Sequence, residues 1–273
     1  MSAQCDPRNK TFLITGGASG LGAVYTEWFL KEGAKSVAIL DVDVEKGQEL
    51  AAKLNQPYPE KVAFYKCDVS DETEITDAFN EIVKQFKQVD VIINNAGLML
   101  DSPDMWRKSS DVNWQGLVSL TLKGVKHMRK DKGGAGGTII NVSSIGALVR
   151  GPFLPIYCGS KAAVMHFSQS LSMDPFYEQT GVRILIFCLA ATKTTMIENV
   201  NTKTWDEDLG KIFKEFMDNN HDPQRPESAA DAVVKVFKEG ANGSIWLAKD
   251  HKPAEDITSI VDSAYKTFEA MIL

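Results

Sequence analysis

Apolar and polar positions fall into alternating blocks along this chain. Short β-branched runs stand at 11–15 (TFLIT), 36–41 (SVAILD), 62–68 (VAFYKCD), 89–94 (VDVIIN), 138–143 (TIINVS) and 182–188 (VRILIFC). Several are nearly continuous in apolar residues, as strands buried on both faces should be. Segments of helical period separate them at 21–32, 43–55, 71–87, about 104–131 and about 157–178. Strict β–α alternation predicts a parallel sheet with helices on both faces and right-handed crossovers. The glycine-rich run at 133–137 leads straight into a strand, so it reads as a loop inside one domain.

Beyond residue 190 the pattern is less regular. Residues 193–225 mix polar, aromatic and apolar positions, where either a substrate lid or a packed helical connection would sit. A helix is expected at 226–239, a last strand at 243–248 and an amphipathic helix at 254–272. The expectation is an α/β chain of about seven strands, one domain spanning 1–273.

Composition narrows the class. The 273 residues are 44% hydrophobic and 24% charged, which supports a large core and excludes a disordered or low-complexity chain. A formal charge of -6 supplies no basic stripe for a phosphate backbone, so no nucleic-acid partner is expected. The longest apolar stretch, Ile184 to Ala191, has eight residues, too few for a membrane span. The polar N-terminus MSAQCDPRNK has no signal-peptide core, and a cytoplasmic location is the expectation. Cys5, Cys67, Cys158 and Cys188 form no C-x-x-C pair and the histidines no HExxH, so neither a disulfide nor a metal site is expected.

The candidate chemistry begins after the first strand. Thr15-Gly16-Gly17-Ala18-Ser19-Gly20-Leu21-Gly22 opens the first helix, and its glycines let a backbone approach a pyrophosphate at the helix N-terminus. The spacing is G-x-x-x-G-x-G rather than G-x-G-x-x-G. Asp41 ends the second strand, 19 residues after Gly22, where a carboxylate would accept ribose hydroxyls and repel a 2′-phosphate. That favours NAD over NADP; a plain helix N-cap is the bland alternative, with Asp43 also available. Tyr157 and Lys161 stand at i and i+4, hence on one helix face, where an ammonium would lower the phenol pKa for proton transfer. Ser144 lies 13 residues before Tyr157, at the end of the fifth strand.

Together these residues resemble the short-chain dehydrogenase/reductase family. TGGASGLG is similar to its cofactor loop TGxxxGxG, Asn94-Asn95-Ala96-Gly97 to its NNAG, and Cys67-Asp68-Val69 to the segment carrying its adenine-side D-V pair. Asn113, Ser144, Tyr157 and Lys161 match its Asn-Ser-Tyr-Lys tetrad. YCGSKAAVMHFSQSL points to the NAD-dependent branch that holds the 15-hydroxyprostaglandin and insect alcohol dehydrogenases. The resemblance implies a Rossmann-type doubly wound sheet and an oxidoreductase that exchanges a hydride between NAD and an alcohol or carbonyl. Tyr157 would be the acid/base, Ser144 would hold the substrate oxygen, and Lys161 would bind the nicotinamide ribose and help shift the Tyr157 pKa. Asn113 would hold a water in a proton relay. Gly16, Ser19, Gly20, Leu21, Gly22, Asp41, Cys67, Asp68, Val69, Asn95, Ala96, Gly97, Thr192 and Thr194 would line the cofactor. Pairing through the long helices into a homodimer or homotetramer is also implied.

One departure stands after the sixth strand, where the family's Pro-Gly is replaced by Leu189-Ala190. A tolerated loop variant is one reading; a weakly active nucleotide- or lipid-binding member of the same fold is the other. Leu98, Met99, Leu148, Val149, Phe153, Leu154, Met196 and Ile197 flank the catalytic positions and suit a hydrophobic alcohol or ketone, with Leu154 beside Ser144 and Tyr157 the expected substrate contact. Those residues would equally serve as core.

Overall fold

The apolar runs pair into one sheet in the computed structural model, which describes residues 5–220 and 222–272. Residues 1–4 of the polar N-terminus, 221 of the expected lid and 273 lie outside the described residues. The strands are β1 (Thr11–Thr15), β2 (Ser36–Asp41), β3 (Val62–Lys66), β4 (Val91–Asn94), β5 (Gly137–Ser144), β6 (Val182–Leu189), β7 (Ile245–Ala248) and β8 (Glu255–Asp256). Their order is β3-β2-β1-β4-β5-β6-β7-β8, parallel except for β8, which runs antiparallel to β7. The order reverses between β1 and β4, and ligands of open α/β sheets gather at the carboxyl ends beside such a switch point.

The helices cover both faces. On one side α1 (Gly20–Lys31), α2 (Val44–Asn55) and a later helix at Pro226–Glu239 bury Tyr25, Phe29, Leu54, Val233 and Phe237 against β1, β2 and β6. Phe12 of β1 stacks on Phe29 at 4.4 Å in this layer. On the other side α3 (Glu72–Phe86) sets Ile75, Phe79 and Ile82 against Leu13, Leu40 and Ile92.

Two long expected helices are broken. The span 104–131 divides into α4 (Trp106–Ser110), a π-turn at Asp111–Gly116, α5 (Leu117–Met128) and a 3₁₀ turn. Inside the π-turn the Asn113 side chain binds the Leu98 backbone, and Gly116 lies so close that a Cβ there would stand 2.1 Å from the Val69 carbonyl. The span 157–178 is α6 (Pro155–Ser172) followed by α7 (Phe176–Thr180). Its start moves forward to Pro155, which suits a first turn because its missing N–H is unbonded there anyway.

In the irregular span, 3₁₀ turns at Thr195–Ile197 and Val200–Thr202 precede α8 (Glu207–Asn220), and α9 is the helix Pro226–Glu239. The last helix, α10 (Thr258–Ile272), begins later than the pattern suggests because Glu255 and Asp256 join the sheet as β8, the eighth strand. Among the described residues no helix is long and apolar enough to cross a membrane. Cys67 and Cys188 are buried, Cys5 and Cys158 are half-buried, and all four are free thiols.

Candidate active site

The glycine loop joins β1 to α1 at the switch point. Gly16 has φ +62°, and a Cβ on it would stand 2.9 Å from the Ala96 Cα; one on Gly22 would stand 2.1 Å from the Gly16 carbonyl oxygen. Larger residues are therefore excluded at both positions. Ser19, the N-cap of α1, makes no side-chain hydrogen bond to the helix, and the first turn of Gly20, Leu21 and Gly22 carries no acid. The partial positive charge of that helix end is left to an external anion.

The loop is held from two sides. Asp41 Oδ2 accepts the Ala18 amide at 3.0 Å and its Oδ1 accepts the Asp43 amide at 3.1 Å. From β4, the Asn95 side-chain amide donates to the carbonyls of Thr15 at 2.9 Å and Gly16 at 3.3 Å. The cradle, the open helix end and a half-buried acid at the tip of β2 fit a dinucleotide. Asp43 is the residue that caps α2, accepting the Lys46 amide, so the cap alternative for Asp41 does not hold.

After β3, Cys67 and Val69 are buried, and Asp68 pairs with Lys108 of α4 at 2.6 Å. Burial would raise the Asp68 carboxyl, but Lys108 together with the amide and hydroxyl of Ser70 draws it down to about 2. Lys108 escapes sequence reasoning because it lies 40 residues from its partner.

The four tetrad residues converge in two pairs. A Cβ on Gly146 would lie 3.5 Å from Ser144 Oγ and 3.7 Å from Tyr157 Cε1, so serine and tyrosine flank one spot. A Cβ on Gly97 would lie 3.2 Å from Asn113 Oδ1 and 3.5 Å from Lys161 Nζ. Lys161 is buried and fixed to β5 at both ends: Nζ donates to the Val142 carbonyl at 3.0 Å, and the Lys161 carbonyl accepts the Ser143 hydroxyl at 2.9 Å. Asn113 Oδ1 accepts the Leu98 amide at 2.7 Å, and its Nδ2 donates to the Leu98 carbonyl at 2.8 Å. Its side chain thus holds the segment after Gly97.

Electrostatics correct one expectation. Burial raises the Tyr157 phenol above its ordinary value, with the Ser144 hydroxyl pulling against it. Burial also lowers the Lys161 ammonium to about 8, and its Nζ stands 5.9 Å from the phenol ring centroid. In the protein alone, desolvation therefore outweighs any pull from the Lys161 ammonium and the phenol stays protonated.

After β6 the altered turn keeps its ladder. Leu189 pairs with Ser144 and packs into the core, while the Ala190 amide donates to the Ala248 carbonyl at 3.0 Å. The two threonines beyond it part company. Thr194 faces the glycine loop, its Cγ2 3.8 Å from a Cβ on Gly20. Thr192 is buried and turned to Gln224, whose Nε2 donates to its hydroxyl at 3.2 Å. Thr192 is therefore a poor candidate for the cleft.

The apolar flank also divides. Met99, Phe153, Leu154 and Tyr157 cluster with Val200, Phe213 and Met217 of the 193–225 span. Phe153 stacks on Phe213 at 4.9 Å. Leu148 packs instead with Met165 and Ile186, Leu98 joins the α3 layer, and Val149 is exposed. Sequence reasoning missed Thr15 as a bonding group, Ser143, Gln224 and Asp101; of these Thr15 and Ser143 stood inside motifs, TGGASGLG and NVSS. Among the described residues no group of three His, Cys, Asp or Glu side chains could hold a metal.

Residues 10–205 match the short chain dehydrogenase family. The chain is 32% identical over 244 residues to the 15-hydroxyprostaglandin dehydrogenase (NAD(+)) of Rattus norvegicus, covering 86% of this chain and 89% of that protein. It is 30% identical over 240 residues to alcohol dehydrogenase 1 of Ceratitis cosyra, covering 88% and 91%. Its fold is similar to 3-ketoacyl-(acyl-carrier-protein) reductase from Brucella melitensis complexed with NADH, with TM-score 0.71 and 24% identity over 89% of this chain and 96% of that one. NADPH-dependent 3-quinuclidinone reductase from Rhodotorula rubra has TM-score 0.74 and 23% identity, over 89% and 91%.

Proposed function

The chain belongs to the short chain dehydrogenase family of oxidoreductases, and from that premise we propose that it is an NAD(H)-dependent enzyme interconverting an apolar alcohol and its aldehyde or ketone. The observation that carries this reading is the convergence of Ser144 and Tyr157 on Gly146, at the strand ends beside the glycine loop. When bound, the nicotinamide would take up or supply the hydride. Gly16, Ser19, Gly20, Leu21 and Gly22 would hold the pyrophosphate, Asp41 the adenosine ribose, and Asn95, Ala96, Gly97 and Thr194 the nicotinamide half.

Ser144 would donate a hydrogen bond to the substrate oxygen, and Tyr157 would exchange the proton with it. A phenol that the protein keeps protonated is suited to donating to a forming alkoxide; in the oxidative direction it must first lose that proton, so oxidation speeds up as pH rises. Lys161 would hold its ammonium between β5 and Gly97, where it would meet the ribose. Asn113 would act by fixing the Leu98 backbone, with a water relay at its π-turn.

The apolar group of Met99, Phe153, Leu154, Phe213 and Met217 supports a hydrophobic substrate, with α8 as the lid. The hydroxyl-oxidising activities in the relatives' names agree with that class. Asp41 supports NAD over NADP, since the 2′-phosphate of the latter would meet its charge. The same reading includes a homodimer or homotetramer through α5 and α6, Leu122 of α5 being exposed, and a cytoplasmic location.

The test is a panel of apolar primary and secondary alcohols offered with NAD or NADP, following absorbance of the reduced cofactor. Turnover of at least one with NAD and little with NADP is expected. Turnover of none, with either cofactor, would overturn the reading.

A further inference from the structure

One buried carboxylate beside the tetrad has no part in the chemistry above. Asp101 is fully buried in the segment that follows Gly97. Its Oδ2 accepts the Ile156 amide at 2.7 Å and its Oδ1 accepts the Tyr157 amide at 2.9 Å. Its own amide donates to the Lys203 carbonyl at 2.7 Å, at the foot of α8. Helices usually cap themselves from the residue before the first turn, but Leu154 makes no side-chain bond to α6. The cap arrives instead from 55 residues away, and one of the two amides it takes belongs to the tyrosine itself.

Burying a carboxylate is costly unless its oxygens are paired or hydrogen-bonded. Backbone amides are the only partners of these oxygens among the described residues, so the first turn of α6 and the acid fix each other. We propose that Asp101 is a positioning residue for the acid/base tyrosine: its carboxylate sets the first turn of α6, and so the place of Tyr157, while its amide ties that turn to the lid segment at Lys203. It rests on the reading of Tyr157 as acid/base and acts through the α6 backbone, without touching the reacting atoms.

The acid also sets the local field. The groups facing the phenol are Ser144 from β5 and Cys158 and Lys161 from α6, while Asp101 lies at the Tyr157 backbone amide; Lys203 of the lid segment turns its ammonium to the Met196 carbonyl. Burial holds both the Tyr157 phenol and the Cys158 thiol protonated to higher pH; the Asp101 charge adds to this directly for the thiol, and for the phenol it adds less than the opposing Ser144 hydroxyl and the neighbouring Cys158. Removing the charge moves both titrations to lower pH.

The test compares Asp101→Asn, which keeps the size without the charge, and Asp101→Ser, which keeps a capping oxygen, with the unaltered enzyme. For each, kcat, the KM for NAD and the pH profile of alcohol oxidation are measured. Alkylation of Cys158 by iodoacetamide is followed across pH by peptide mass spectrometry. A misplacement of about 1 Å costs on the order of 100-fold in rate, so kcat is expected to fall about 10- to 100-fold with the KM for NAD within about two-fold. The oxidation limb and the Cys158 profile both move to lower pH.

A folded variant whose kcat stays within about two-fold of the unaltered enzyme, or whose two pH profiles stay where they were, would overturn the proposal. The alkylation readout needs no turnover. An unmoved Cys158 profile therefore counts against Asp101 alone, whereas full turnover in Tyr157→Phe would count against the acid/base reading alone.

Discussion

The hydroxyl of Thr15 accepts the amide of Ala96 at 2.9 Å, and takes the neighbouring Asn95 amide at 3.0 Å as well. One side chain at the end of β1 thus satisfies two backbone donors from the end of β4, across the point where the strand order reverses. With the Asn95 side-chain amide on the Thr15 and Gly16 carbonyls, it holds the glycine loop against the segment that leads to Gly97.

Thr15→Val keeps the shape and removes the acceptor. Two part-buried amides lose their partner, at a cost of about 1–3 kcal/mol each. Urea unfolding is expected to show a loss of about 2–6 kcal/mol with weaker NADH binding, and Thr15→Ser to restore both. A Thr15→Val protein as stable as the original would remove this role.

Asp41 supports the same loop through Ala18 and is the residue proposed to meet the adenosine ribose. The protein is expected to bind NADH more tightly than NADPH. Asp41→Asn removes the charge, and charge-assisted hydrogen bonds are worth about 1.5–3 kcal/mol, so the preference should shrink about 10- to 100-fold. Fluorescence titration with both cofactors reads it directly; an unchanged ratio would mean that discrimination lies elsewhere.

Much of this arrangement could be read from the residues in order. Strands as apolar as β2 and β6 are buried on both faces, so their runs announce them without ambiguity. The glycine loop and the tetrad were visible because each is a short motif with fixed internal spacing. What escaped depends on distant pairings. Asp101 shows in the sequence only as an acid among apolar neighbours, and the amides that explain it lie 55 and 56 residues on. The break at Asp111–Gly116 escaped for a similar reason, since helical periodicity continues through a π-turn packed against Leu98 and Val69, whereas the break after α6 carries a local mark in Pro175. The electrostatic state of Tyr157 and Lys161 depends on burial, which spacing does not record.

Burial of Lys161 has a signature in stability. Its ammonium titrates at about 8 in the folded protein, against about 10.4 for an exposed lysine. Below about 8 it is protonated in both states and contributes no slope. Between the two values the unfolded chain binds more protons, so this group makes the native state more stable as pH rises, by up to about 3 kcal/mol. Other groups titrate in the same range, so the difference between the original protein and Lys161→Met is the measurement. That difference should change between about pH 7.5 and pH 10, and a constant one would mean that Lys161 is not depressed.

The Leu189-Ala190 turn should prove structural. Leu189→Pro combined with Ala190→Gly restores the family's residues but removes a buried leucine side chain, at about 2–4 kcal/mol. Lower stability with no gain in kcat is expected. A tenfold or greater rise in turnover would show that this turn limits the natural enzyme.

The decisive comparison is a single turnover of the original protein and Tyr157→Phe, each loaded with NAD and given an apolar secondary alcohol. Loss of a general acid/base costs about 100- to 10,000-fold, so Tyr157→Phe should bind NAD with a Kd within about two-fold yet form NADH more slowly by that factor. It should also lose the rise of rate with pH. NADH formed by Tyr157→Phe at the original rate would contradict the assignment of proton transfer to Tyr157, and with it the mechanism built on this site.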